Sequence, residues 1–109
     1  MPIYKAGYVV LLGGKQAVYK EWKGDKVVRY RCHCCGYYTL IEDSDDICPV
    51  CWWQDDIVQR EDPDYGGGPN HGISLNMAKE NFKMFSVSNI EYKKEVRQPL
   101  SKELPENNH

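Results

Sequence analysis

The sequence predicts a small α+β protein: a cysteine-held β core, with a β-rich N-terminal layer before it and one C-terminal helix after it. Three observations carry this reading. Two Cys-x-x-Cys pairs, Cys32/Cys35 and Cys48/Cys51, stand twelve residues apart. Residues 2–31 are rich in Val, Tyr and Leu and are broken by glycines. From Ser74 onward, Leu75, Ala78, Phe82 and Phe85 recur on one face of a 3.6-residue period. With 109 residues the chain suits a single domain around one modest core.

IYKAGYVVLL and KQAVYKEW read as strands, with turns at Gly13-Gly14 and Gly24-Asp25. KVVRYR then runs extended into Cys32. The apolar stretch AGYVVLLGG (6–14) has neither a strongly charged lead-in nor a small-residue cleavage site, so it reads as a strand rather than a signal peptide. No run approaches the roughly 18 apolar residues that span a bilayer. A cytoplasmic, reducing compartment is therefore expected, where paired cysteines serve more often as metal ligands than as disulfides.

The cysteine block, 32–53, carries the clearest chemistry. A C-x-x-C turn aims both thiolates at one ion, and Gly36 after the second cysteine tolerates the positive φ such a turn needs. Two such turns brought together by a hairpin make a tetrahedron of Cys32, Cys35, Cys48 and Cys51, which suits one structural Zn²⁺. An iron site uses the same ligands. Neither pair leads into a helix, which argues against a redox Cys-x-x-Cys. Cys34 is expected to turn away from its neighbours as a small buried hydrophobe, and His33 to face solvent. An acidic turn, Glu42 to Asp46, separates the two pairs.

Beyond Trp53 the composition changes. Residues 54–72 are rich in Gly, Pro, Asp and Asn, and predict an ordered irregular loop anchored by Ile57, Val58 and Tyr65. If the chain is extended at Trp52-Trp53, the two indoles point to opposite sides, one onto the hairpin and one toward Phe82, and both are expected to be core residues. Trp53, Asp55, Asp56, Asp62 and Asp64 are the candidate partner-binding residues. Glu61 joins this acidic cluster, whose spacing does not fit a calcium loop, so turn chemistry is the expected role of its carboxylates. Ser74 is the expected helix N-cap, with Ile73 stapled against Ala78. Past Phe85 the chain is polar, with Ile90, Tyr92 and Val96 as packing points. Pro99 and Pro105 exclude a long helix there, and ENNH is expected to fray.

CHCCGYYTL, DICPVCWWQDD and DPDYGGGPNHGISLNMAKENFKMF, in this order and spacing, resemble the cysteine-rich CPCC domain family of small bacterial proteins. The resemblance covers about 31–85, and VRQPLSKELP looks like the family's C-terminal ending. It implies a rubredoxin-like or zinc-ribbon core with a loop and helix after it. The pattern departs at His33, where the family usually has Pro, and at Met77, where it often has Glu. The loss of Glu at Met77 removes a capping box. Residues 1–30 then form a β-rich extension, 31–85 the CPCC-type unit, and 86–109 a polar C-terminal segment.

No nucleophile–base pair stands out, so an enzyme is not expected. The net charge of −2 supplies no field for nucleic acid. The expected function is a non-enzymatic zinc module that binds a protein partner, as an immunity or inhibitor protein against a toxin or effector. The alternatives are a nucleic-acid accessory ribbon and a rubredoxin-like redox protein.

Overall fold

The computed structural model describes residues 8–12, 15–22, 25–41 and 45–105. The expected turns at Gly13-Gly14 and Gly24, residues 42–44 of the acidic turn, and the ENNH tail lie outside the described residues. Strands β1 (Tyr8–Leu12), β2 (Lys15–Trp22), β3 (Asp25–Arg31) and β4 (Tyr38–Leu40) form an antiparallel meander in chain order. In register, Val9 faces Val18 and Val18 faces Arg29. The β3–β4 ladder shifts register between Tyr30 and Arg31, just ahead of Cys32. That irregularity ends the sheet where the first cysteine turn begins.

Helix α1 (Ile57–Glu61) is one turn long. Its N-cap Asp56 accepts a hydrogen bond from the Gln59 N–H at 3.0 Å, and Pro63 follows its end. Helix α2 (Leu75–Phe85) starts as expected at Ser74, whose hydroxyl accepts from the Met77 N–H at 3.2 Å. It ends at Ser86, which takes a left-handed conformation and donates its N–H to Phe82 O. Two 3₁₀ turns, Ile90–Tyr92 and Ser101–Glu103, are the helical pieces of the C-terminal segment, consistent with its prolines. The whole is a small α+β, zinc-ribbon-like fold.

The core joins the cysteines to Leu40, Val50, Trp53, Leu75 and Ala78, with Tyr30, Tyr37, Ile73 and Phe82 packed around them. Burying a side chain such as Leu40 contributes about 1.5–3 kcal/mol. Tyr37 and Phe82 meet edge-to-face at 6.3 Å, which fixes α2 over the first cysteine turn.

Several packing expectations are corrected. Ile57, Val58 and Tyr65 do not anchor the loop; all three are exposed. The anchor is polar. Gln59, fully buried, donates to Tyr65 O at 2.8 Å and Ile73 O at 2.9 Å, and accepts from Asn70 Nδ2 at 2.8 Å. Asn70 in turn exchanges two hydrogen bonds with the Gln54 backbone. A loop with little apolar surface is held by satisfying its own carbonyls. Phe85 is also exposed, because α2 outruns the core at its last turn. In the C-terminal segment Val87 is buried and Ile90 is not, since the chain leaves the core soon after Ser88.

Candidate metal centre

The two cysteine turns share one local geometry. Gly36 N–H donates to Cys32 O at 2.9 Å, and Trp52 N–H donates to Cys48 O at 2.8 Å. Gly36 has φ 83° and Trp52 φ 67°, both in the left-handed region. Glycine adopts it freely, whereas an L side chain there is strained. The chain is therefore not extended at Trp52, which corrects the expected alternation of the two indoles.

Different elements brace the two turns. On the first, Arg31 Nε donates to Gly36 O at 2.9 Å, and Arg31 Nη1 donates to Gln16 Oε1 at 2.8 Å. The Arg31 guanidinium also lies 5.8 Å from the centre of the Tyr38 ring. On the second, Ser88 N–H donates to Cys51 O at 2.7 Å, and Arg97 N–H donates to Pro49 O at 3.1 Å. Arg97 grips buried Glu103 through both carboxylate oxygens, at 2.9 and 2.8 Å.

Folding brings Cys32, Cys35, Cys48 and Cys51 together, their sulfurs all within 4.8 Å of one another. Cys32 Sγ lies 3.5 Å from Cys51 Sγ, and Cys35 Sγ lies 3.7 Å from Cys48 Sγ. A tetrahedron of thiolates at the usual zinc–sulfur distance has edges of about 3.8 Å. The donor set thus fits a metal ion in size as well as in chemistry. Three of the four are buried and Cys35 is half-buried. The Thr39 hydroxyl, itself buried, sits 2.9 Å from Cys48 Sγ.

The electrostatics also ask for a cation. Burial pushes the Cys32 thiol well above the ordinary thiol range, and hydrogen bonds to Cys35 and Cys48 add to this. Burial does the same to Cys51. At Cys48 burial also opposes ionisation, but hydrogen bonds from Cys32, Cys35, Cys51 and Thr39 outweigh it and hold this thiol well below its ordinary range. One thiolate is stabilised by its neighbours, and the next ones are resisted. Only a bound cation lets the full set ionise.

A family model, cysteine-rich CPCC, matches residues 30–103. The chain belongs to the cysteine-rich CPCC family. No curated protein and no solved structure matches it. The family match takes in both cysteine turns, both helices and the C-terminal segment that braces the second turn.

The remaining sequence candidates are placed as follows. Cys34 is buried within the core cluster beside the four ligand candidates. His33 is half-buried, with its Nε2 covered, rather than solvent-facing, because the first turn folds back against the sheet. Trp53 is 1% exposed and Asp55 0%, so neither lies on a partner-binding surface. Trp53 packs into the core with the cysteines, whereas Trp52, expected there too, is half-buried. Asp55 is buried against Arg60, 3.5 Å away, and its backbone pairs with Asp45 and Asp46. Asp56 is half-buried as the α1 cap. Asp62 and Asp64 are exposed; Asp64 accepts from Asn76 Nδ2 at 2.8 Å. Among the described residues these acids form no metal-ligand cluster.

Sequence reasoning missed Thr39, Gln59, Ser88 and the Arg97–Glu103 pair. Thr39 reads as an ordinary strand residue, and only its tertiary position gives it a sulfur to touch.

Proposed function

We propose that the chain is a non-catalytic module, pinned by one zinc ion, that binds another protein. The observation that carries this reading is the closed set of four clustered cysteines. Structural zinc fills its shell with protein ligands, whereas catalytic zinc keeps a position open. Four soft thiolates select zinc or iron, and zinc supplies a pin without redox chemistry.

The partner reading is supported by the stretch 57–65. It presents exposed Ile57, Val58 and Tyr65 interleaved with exposed Glu61, Asp62 and Asp64. Apolar contacts with a charged rim make a protein interface, and the acidic sign selects a basic surface. The specific form is a cytoplasmic immunity or inhibitor protein that covers the basic surface of a bacterial toxin or effector.

Purified protein is expected to be colourless, with one zinc per chain by metal analysis. Iron with visible absorption would put a redox role in its place. Affinity capture from the native host is expected to recover a basic protein that Asp62→Lys and Asp64→Lys together release. If nothing is recovered and labelled RNA shifts at low salt instead, the nucleic-acid reading replaces this one.

A further inference from the structure

The four cysteines of the cluster differ in cover. Cys32, Cys48 and Cys51 are at most 1% exposed, and the Thr39 hydroxyl lies 2.9 Å from Cys48 Sγ. Cys35 alone of the four is half-buried. It lines two open grooves, each of about 340 Å³. The first opens beside Arg31 and Gly36. The second lies between the first cysteine turn and α2, with Asn76, Lys79 and Phe82 along it. The fifth cysteine, Cys34, borders both grooves too, but it is buried in the core cluster.

The sulfurs also stand in two contacts across the turns. Cys35 Sγ is 3.7 Å from Cys48 Sγ, and Cys32 Sγ is 3.5 Å from Cys51 Sγ. A disulfide joins Cα atoms roughly 4.4–6.8 Å apart, whereas consecutive Cα atoms are about 3.8 Å apart. Cys34 is therefore a poor partner for Cys35, and Cys48 is a near one.

We propose that Cys35 is a modification site, the ligand that a hydroperoxide oxidises, and that Cys48 resolves it into a disulfide across the two turns. The inference rests on the reading that the cluster holds zinc. Zinc has no redox chemistry of its own, but its thiolate ligands remain nucleophiles. The Cys35 thiolate attacks the peroxide: an S–O bond forms, the O–O bond breaks and one oxygen leaves as hydroxide. Sulfur is oxidised by two electrons to a sulfenic acid, and the peroxide is reduced. The Cys48 thiolate then forms the S–S bond and displaces a second hydroxide. With hydrogen peroxide, two thiolates and one peroxide give one disulfide and two hydroxides. The ligand set falls from four sulfurs to those of Cys32 and Cys51, which releases the ion. The disulfide bridges the turns where the ion did, so oxidation exchanges one pin for another.

The test uses the full zinc-loaded chain, with hydrogen peroxide as the oxidant. With dimedone present to trap sulfenic acid, the protein is cleaved at the Asp residues between the two turns and read by fragment-ion mass spectrometry. The label is expected on Cys35, about tenfold over any other cysteine. A label on Cys34, or one spread evenly, overturns the inference. Without dimedone, the expected product is a Cys35–Cys48 disulfide, with one zinc released per bond as read by a chromogenic chelator. A Cys32–Cys35 or Cys48–Cys51 bond, or release with no disulfide, overturns it. Cys34→Ala is expected to lose zinc to hydrogen peroxide as fast as the unaltered chain. A rate about tenfold slower makes Cys34 the reactive thiol and overturns the assignment. If that variant takes up no zinc, the mapping on the unaltered chain decides. A zinc-loaded chain that hydrogen peroxide leaves intact refutes this inference alone; a chain that takes up no zinc overturns the metal reading with it.

Discussion

The two cysteine turns have one backbone and two different supports. Cys32–Gly36 is built into the sheet: β3 leads in, β4 leads out, and Arg31 reaches across to Gly36 O. Cys48–Trp52 is closed by a short pairing of its own, the Ile47–Gln54 bridge and the Cys48 N–H to Trp53 O at 3.0 Å, and is also held from the C-terminal side, by Ser88 on Cys51 O and Arg97 on Pro49 O. Both turns thus have supports near them in sequence, and the second adds supports about forty positions on. The four-cysteine cluster is where these supports meet, so an ion held there would make each half depend on the other.

Removing the metal breaks the comparison outright. Structural zinc supplies an apparent ~10–16 kcal/mol in small domains, whereas whole domains are stable by only ~5–15 kcal/mol. Cys32→Ser and Cys48→Ser are both expected to lose the ion and unfold the cysteine block, as followed by metal content and circular dichroism. A variant in one turn that kept the ion would show that the turns are not equal ligand donors. Metal uptake carries a pH signature. Cys32 and Cys51 are held protonated by burial, whereas Cys48 is held ionised. Binding must displace the protons of the first two, so affinity rises with pH. Competition with a chelator between about pH 6 and 8 should show release of at least about two protons per ion. A flat profile would contradict this.

Supports are next in size. Glu103→Gln removes the charge that pairs with Arg97, and is expected to cost about 1–3 kcal/mol. The value is lower than for a fully buried pair because the Arg97 side chain is 40% exposed. Hydrogen exchange should quicken at the Arg97 amide while the Gly36 amide stays protected. Arg31→Ala should do the reverse, at about 1–2 kcal/mol for two hydrogen bonds. If either variant loosened both turns equally, the supports would not be separable.

What the sequence made legible divides along the same line. Ligand identity and the onset of α2 follow from spacing over a few residues, which the chain cannot hide. The anchoring of the second turn comes from Ser88, Arg97 and Glu103, whose roles depend on contacts far apart in sequence. The half-exposed position of Trp52 was illegible for a sharper reason. Alternation assumes extended backbone, and a single left-handed residue at Trp52 cancels it. Gln59 is a polar residue buried in a one-turn helix, and no periodicity marks such a position.

The smallest effects probe the backbone shared by the two turns. Gly36→Ala places a Cβ on a φ of 83°, with Arg31 Nη2 only 3.3 Å away. It is expected to cost about 1–2 kcal/mol by urea denaturation of the metal-loaded protein. Trp52→Gly removes a strain of that order and the packing of a half-buried indole, and it also loosens the unfolded chain by about 0.4–1 kcal/mol. These terms oppose one another, so the net shift should stay within about 1 kcal/mol of zero. A near-neutral Trp52→Gly beside a costly Gly36→Ala would mean that both turns want glycine and that the second gives it up for reasons outside stability. A Trp52→Gly loss several times larger would instead make the indole part of the core and leave its strained backbone as a packing compromise.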